Sequence, residues 1–128
     1  MALAKNFKEL RVWQNAMNLA MKVFELSRAF PAEEKYSVTD QMRRSSRAVA
    51  AIISEAWRRR RYVAAFVNKL NEAEAEAAET QTWVEVVRRC QYIDERTASE
   101  LDVGYEEVLA QLVAMIDDAP RWCLPPRT

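Results

Sequence analysis

The sequence predicts an all-α protein, an antiparallel four-helix bundle in up-down-up-down order. It has one glycine, Gly104, and four prolines in 128 residues, whereas a sheet protein requires turn residues about every 8–12 positions. Apolar residues also recur at alternating spacings of three and four through most of the chain, which is the period of an amphipathic helix. Half of the residues are hydrophobic, which is enough for one core. We therefore expect a single domain over residues 1–128.

The first predicted helix covers residues 7–29 and carries two apolar stripes. One stripe consists of Leu10, Trp13, Met17, Ala20 and Phe24, and the other of Val12, Ala16, Leu19, Val23, Leu26 and Phe30. Together they cover roughly 200° of the helix circumference, whereas a surface helix of a monomer requires little more than ~100°. We therefore expect part of this helix to be buried between subunits.

Three further helices are predicted, over about 38–58, 62–92 and 98–118, followed by an irregular tail over 119–128. The segments Ser37 to Asp40 and Thr97 to Glu100 each match a capping box, in which two side chains satisfy free amides at a helix start. No glycine or proline separates the second and third helices, and we place their turn at 58–62, where four consecutive arginines repel one another. Short connections favour antiparallel neighbours.

The residues that the chain lacks disfavour several classes of enzyme. It has no histidine, which removes the commonest zinc ligand, the Glu-x-x-His pattern of di-iron bundles and histidine-activated nucleophiles. Its two cysteines, Cys90 and Cys123, do not have the spacing of metal ligands. We therefore expect no catalytic site, no cofactor, no metal and no small-molecule substrate.

We expect the protein to remain in the cytoplasm, without a membrane partner. No apolar run reaches the ~18 residues required to span a bilayer. The start of the chain also lacks the apolar segment of a signal peptide. In a reducing compartment the two cysteines are expected to be free thiols.

The net charge is zero, but the two halves of the chain differ in sign. Residues 1–61 contain 13 Lys and Arg against 6 Asp and Glu, and residues 62–128 contain 6 against 13. Because guanidinium groups match phosphate oxygens, we interpret seven arginines as a nucleic-acid-binding site that prefers RNA. Two alternatives stay open, namely pairing with the acidic helices of a neighbouring subunit and a solvated helix end. The seven are Arg43, Arg44, Arg47, Arg58, Arg59, Arg60 and Arg61.

Three further features are weighed against ordinary structural roles. The four tryptophans are candidates for stacking on bases; Trp13 is more simply a core residue, and Trp57 stays a candidate because it adjoins the arginine run. Glu55 is expected to be partly buried and paired with one of the arginines 44, 47 or 59, because a buried carboxylate requires a partner. A ladder of acidic residues on the third helix is interpreted as a solvated or inter-subunit face, and it consists of Glu72, Glu74, Glu76, Glu79 and Glu85.

An apolar strip on the third helix lies beside its core stripe. An exposed apolar patch of this kind is unusual on a monomer, and with the wide apolar arc of the first helix it predicts a homo-oligomer. The predicted interface residues are Val12, Leu19, Val23, Trp83, Val86 and Cys90.

Several motifs resemble those of bacterial four-helix-bundle proteins related to the ones encoded in intervening sequences of 23S ribosomal RNA genes. The motifs are Phe7-Lys-Glu-Leu-Arg-Val-Trp-Gln14, Phe30-Pro31, Gln41-Met-Arg-Arg-Ser-Ser46, Ile53-Ser-Glu-Ala-Trp57 and Glu79-Thr-Gln81. One departure concerns the end of the second helix, where the family often has Asn-Ile-Ala-Glu-Gly and this chain has Ile52-Ile-Ser-Glu-Ala56. The resemblance covers roughly residues 7–116.

The resemblance implies a four-helix bundle that assembles as a ring, with five subunits. More distantly, the chain is similar to accessory proteins of diversity-generating retroelements, whose basic surface engages reverse transcriptase and nucleic acid. The leading hypothesis is therefore a non-catalytic, homo-oligomeric nucleic-acid-binding protein that reads charge and shape. The competing hypothesis is a protein-interaction scaffold in which the basic half of one subunit docks on the acidic half of the next.

Overall fold

The protein is all-α, with four main helices packed against each other. A computed structural model describes residues 4–125, and residues 1–3 and 126–128 of the predicted domain lie outside the described range. The helices are α1 (Arg11–Ser27), α2 (Val38–Trp57), α3 (Val63–Arg89), α4 (Glu95–Asp117) and a short α5 (Ala119–Trp122). Single 3-10 turns, Phe7–Glu9 and Ala32–Glu34, precede α1 and α2. Residues 4–125 contain no strand, and none of their helices is long and apolar enough for a bilayer crossing.

Contacts near both ends of the helix pairs give the up-down-up-down order. Trp13 near the start of α1 donates through Nε1 to Ser54 near the end of α2 at 3.1 Å. At the other end, Arg43 near the start of α2 donates to Ser27 at 2.7 Å. The corresponding pairs are Ser45 with Thr80 and Glu55 with Lys69 between α2 and α3, and Asn15 with Gln111 and Leu19 with Gly104 between α1 and α4.

The core consists of two apolar clusters separated by a layer of buried hydroxyl groups. The larger cluster is centred on Phe66, Leu70, Leu112 and Ile53, and the smaller one includes Val23, Met42, Val84, Val87 and Leu101. Ser45, Ser46 and Thr80 lie in α2 and α3 between the two clusters and are fully buried. Thr80 donates to Ser45 Oγ at 2.8 Å, so the layer satisfies hydroxyls that would otherwise be costly to bury.

The helix boundaries confirm the predicted turn after α2 and correct both capping boxes. Ser37 precedes α2 but makes no side-chain cap, because its backbone (φ −123°, ψ −114°) lies outside the extended conformation of a capping residue. At α4 the cap is Asp94, which accepts from the Thr97 amide at 2.7 Å. This helix therefore begins at Glu95, three residues earlier than predicted. The predicted irregular tail contains the short α5.

A left-handed residue ends α3 close to the predicted position. Gln91 has φ 63°, a conformation that is common for glycine but that L-residues other than Asn and Asp seldom adopt. The Gln91 amide donates to Arg88 O and the Tyr92 amide to Val87 O, each at 2.9 Å. This pair of hydrogen bonds is a Schellman motif, and it turns the chain toward α4.

The wide apolar arc of the first helix is explained largely within the single chain. The helix is interrupted at Leu10, which is extended and separates the 3-10 turn from α1. α1 then packs against both α2 and α4, so two sides of it are covered. Val12 and Val23 are 4% and 0% exposed, and their placement in a subunit interface is corrected, since both are core residues of the single chain.

Candidate nucleic-acid interface

Three arginines surround the ring of Phe24 where α1 meets α2. The guanidinium carbons of Arg43, Arg47 and Arg28 lie 4.9, 5.8 and 5.9 Å from the ring centroid. Arg43 also donates to Ser27 at 2.7 Å. The face of an aromatic ring attracts cations, so Phe24 holds the two α2 guanidiniums close together beside α1. We call Arg28, Arg43 and Arg47 the Phe24 cluster.

Arg44 points toward α3 and is paired within the chain. Its guanidinium forms ion pairs with Glu76, at 3.4 Å, and with Glu79, both on α3. The charge of Arg44 is therefore already compensated, which distinguishes it from its neighbours at 43 and 47. This contact also shows that part of the charge asymmetry is satisfied between α2 and α3 of one molecule.

Arg60 is a structural residue. Its guanidinium carbon lies 3.5 Å from the centroid of the Trp57 ring, and its Nε donates to the Trp57 carbonyl at 2.8 Å. The Leu124 amide donates to the Arg60 carbonyl at 2.9 Å, which ties the C-terminal segment to this turn. Burial lowers the pKa of Arg60. Trp57 is 5% exposed, so it belongs to the core and is not available to stack on a base.

The remaining arginines of the α2–α3 turn are free. Arg58, Arg59 and Arg61 are exposed, and within residues 4–125 none of them forms an ion pair. We call these three residues the turn cluster. With Arg60 excluded, the run of four predicted site residues is reduced to three that can reach a ligand.

The two clusters are joined by one edge of α2. At 100° per residue, positions 43, 47, 51, 54 and 58 fall within about 80° of each other around the helix axis. Ala51 and Ser54 are the residues between the clusters, and neither carries a charge. From Arg43 to Arg58 the edge is about 22 Å long, at 1.5 Å per residue. It therefore presents separated positive groups along a line without an intervening acid.

The acidic residues form a different surface, between α3 and α4. Glu85, Asp102 and Glu106 line an open cleft there together with Arg88 and Arg89. Burial, followed by the nearby Glu85 and Glu106 carboxylates, raises the pKa of Asp102. No group of three potential metal ligands occurs within the described part of the chain.

Lys69 on α3 pairs with two acidic residues, one on α2 and one on α3. Lys69 forms ion pairs with Glu55 at 2.9 Å and with Glu72 at 3.1 Å. The predicted arginine partner of Glu55 is therefore wrong, and the carboxylate is exposed. Lys69 belongs to the acidic half of the chain, so these pairs do not offset the charge difference between the halves, whereas the ion pairs of Arg44 with Glu76 and Glu79 do.

The other predicted interface residues lie on the surface or at its edge. Leu19 is half-buried and packs toward Gly104, Val86 is half-buried, and Cys90 is exposed. Trp83 is half-buried and donates through Nε1 to Glu79 Oε2 at 3.1 Å. The structure contains one chain, so a subunit interface at these four residues stays a prediction.

Sequence reasoning missed two residues beside the Phe24 cluster. Lys35 and Tyr36 line an open depression of about 480 Å³ together with the arginines of α2. Lys35 belongs to the basic half of the chain, but the segment between Pro31 and Ser37 gave no sign of folding back toward Arg43. Tyr36 is 84% exposed, and its exposure depends on this same segment.

Comparisons with known proteins agree with the fold. The family model described as "23S rRNA-intervening sequence protein" matches residues 8–114. A solved structure from Bacteroides thetaiotaomicron, described as a protein with unknown function from the S23 ribosomal protein family, is similar with 29% sequence identity and a TM-score of 0.74. The similarity covers 82% of this chain and 97% of that chain. No curated protein matches. Over most of its length, the chain therefore belongs to the family of 23S rRNA-intervening sequence proteins.

Proposed function

We propose that this protein is a non-catalytic, homo-oligomeric nucleic-acid-binding protein of the cytoplasm that binds phosphates along α2. The observation that carries the proposal is that Arg43 and Arg47 on the α2 edge, and the turn cluster at the end of this edge, make no ion pair within the described residues. Five guanidiniums without a carboxylate partner form a basic stripe of the kind expected for nucleic acid. The family name refers to 23S rRNA, which makes RNA the first ligand to test.

Assembly is part of the proposal. Met21 on α1 and Val103 and Val113 on α4 are large apolar side chains that are 53%, 66% and 43% exposed. Together with Trp83 and Val86 they supply apolar surface for subunit contacts, and the family resemblance favours a ring of five. A ring would repeat the α2 edge around its circumference, and the summed phosphate contacts would raise the avidity for a long RNA.

The test replaces the turn cluster with glutamine, in the variant Arg58→Gln/Arg59→Gln/Arg61→Gln. Arg60 is left intact because it stacks on Trp57. For a single strand, each phosphate contact contributes about 0.7 to the salt slope of log K, so losing three contacts weakens binding about 100-fold at ~0.1 M salt. Binding is measured by fluorescence anisotropy with a labelled single-stranded RNA.

A matched control removes the same charge elsewhere. Arg89, Arg96 and Arg121 have side chains that are 75%, 89% and 72% exposed and make only local ion pairs, which contribute little to stability. The variant Arg89→Gln/Arg96→Gln/Arg121→Gln should retain its affinity for RNA within about three-fold. The small remaining decrease comes from the more negative net charge, which acts on the RNA at long range. Equal losses in the two variants would refute a localised site on α2.

The scaffold hypothesis is favoured by one observation, the acidic cleft lined by Glu85, Asp102 and Glu106. A basic edge on one subunit and an acidic cleft on the next could dock head to tail. Light scattering separates the two proposals, because the turn-cluster variant keeps its oligomeric state if the arginines bind nucleic acid. Dissociation of that variant into smaller species, with unchanged RNA affinity, would favour the scaffold.

A further inference from the structure

We infer that the ligand of the α2 edge is single-stranded, and that Tyr36 and Tyr62 are two stacking platforms for its unpaired bases. The inference rests on the proposed function and names its ligand class. Tyr36 and Tyr62 are the two exposed aromatic residues in the described range, at 84% and 67% exposure. Each lies beside one of the two arginine clusters, at opposite ends of α2.

The first platform lies next to the Phe24 cluster. Tyr36 lines the same open depression of about 480 Å³ as Arg43 and Arg47. Lys35 places its ammonium 5.3 Å from the centroid of the Tyr36 ring. The depression is lined by two unpaired arginines and a lysine, by Arg44, whose charge is compensated from α3, and by one acid, Asp40. An aromatic face and several phosphate-binding groups therefore converge on one open surface.

The second platform is part of the turn cluster. Tyr62 follows Arg61 directly and is the residue before α3. Its amide donates to the Arg59 carbonyl at 3.3 Å, so the backbone of the turn is ordered while the phenol ring extends into solvent. The ring has no aromatic or cationic partner within the described residues. Tyr62 thus places a second exposed aromatic ring next to a group of free guanidiniums.

Stacking selects single strands because the faces of bases in a duplex are already covered by their neighbours. Proteins that bind single strands combine a positive groove with aromatic side chains, and each stacked base contributes measurably to affinity without sequence preference. α2 is about 30 Å long, which corresponds to ~9 nucleotides at the 3.4 Å axial spacing of one strand of B-DNA. The two platforms lie beyond the ends of this stretch. The exposure of both tyrosines beside the arginine clusters favours this mode.

The experiment compares wild type with Tyr36→Ala and Tyr62→Ala on an unstructured single-stranded RNA of about 12 nucleotides and on the same sequence annealed to its complement. The length covers the interval between the platforms. We expect each alanine variant to lose at least about five-fold in affinity for the single strand, which is the lower end for one stacked base, and to bind duplex as wild type does. Tyr36→Phe and Tyr62→Phe keep the ring and should retain single-strand affinity.

The possible results separate this inference from the proposed function. If both alanine variants bind the single strand like wild type, or duplex binds as tightly as single strand, the stacking inference is overturned. Loss of binding in the turn-cluster variant would then still support the proposed function. If no oligonucleotide binds, both fail. A single-stranded DNA of the same sequence tests which polymer is the ligand. Tighter binding of RNA identifies RNA as the ligand, and equal binding shows that the protein recognises the bases and phosphates that both polymers share.

Discussion

Replacing Gly104 with alanine tests the close approach of α1 to α4. A Cβ atom at this position would lie 2.6 Å from Leu19 Cδ2 and 3.4 Å from Leu19 Cδ1 and Cγ. Glycine inside a helix costs about 1 kcal/mol relative to alanine, so the substitution gains that amount from propensity. Overpacking typically costs 1–3 kcal/mol, and the Leu19 tip must move. We expect a net loss of about 0–2 kcal/mol in the free energy of unfolding.

A double-mutant cycle isolates the contact from the propensity. In the Leu19→Ala background the clashing methyl groups are absent, and Gly104→Ala should then stabilise the protein by about 1 kcal/mol. The resulting coupling energy is about 1–3 kcal/mol, well above the ~0.5 kcal/mol limit for independent sites. Urea unfolding followed by far-UV circular dichroism, at one fixed protein concentration, measures all four proteins. An effect of Gly104→Ala that is the same in both backgrounds would show that Leu19 is not the reason for the glycine.

Three further predictions concern the core, the turn after α2 and the acid stability. The hydroxyl of Tyr105 is buried near Thr80 without a well-formed hydrogen bond. Tyr105→Phe should therefore leave the free energy of unfolding unchanged or raise it by up to about 1 kcal/mol. A decrease of more than about 1 kcal/mol in urea unfolding would show that the hydroxyl is hydrogen-bonded. Arg60→Ala should lower the free energy of unfolding by about 1 kcal/mol and shift the fluorescence of Trp57 to longer wavelength, because the guanidinium no longer covers the ring. The exposed control Arg59→Ala should change the free energy of unfolding by no more than about 0.5 kcal/mol and leave the emission wavelength unchanged. Hydrogen bonds from two neighbouring arginines lower the pKa of Glu85 to about 2. Its stabilising contribution is therefore present above the unfolded pKa and is lost as the pH falls from about 4.5 toward 2. Glu85→Gln should flatten that part of the plot of unfolding free energy against pH, and an unaltered plot would show that the ion pairs are not maintained in solution.

The sequence predicted the helices well where the physical cause was local. The turn at 58–62 is confirmed without a glycine or proline, since adjacent arginines repel and Tyr62 extends before α3. The apolar residues at helical spacing along α3 are buried from Phe66 to Val87, whereas Val63, at the helix start, is 44% exposed.

The capping boxes failed because a sequence pattern does not determine the backbone at the entry to a helix. Ser37 matches the pattern, but its conformation turns the hydroxyl away from a capping hydrogen bond. At α4 the preceding Asp94 has an extended backbone and caps the helix instead. Both outcomes depend on φ and ψ of one residue, which a short motif does not specify.

The candidate site was predicted as a set of arginines and is divided by tertiary contacts. The guanidinium of Arg60 is held by Trp57, three positions earlier, while its carbonyl accepts from the amide of Leu124, which is 64 positions away. Arg44 is compensated because α3 brings Glu76 and Glu79 to it. Helical periodicity alone cannot identify such partners, because they are supplied by another helix or by the chain end. The same holds for Tyr36, which reaches the Phe24 cluster through the segment before α2.

The measurement that tests the central claim most directly is the salt dependence of single-stranded RNA binding by the wild-type protein, recorded by fluorescence anisotropy between about 50 and 400 mM salt. Five guanidiniums that contact phosphates, at about 0.7 each, predict a slope of log K against log salt near −3.5 per subunit. The turn-cluster variant should reduce the slope to about −1.4. Binding that does not depend on salt, an unchanged slope in the variant, or no binding at 50 mM salt would contradict phosphate recognition by the α2 edge.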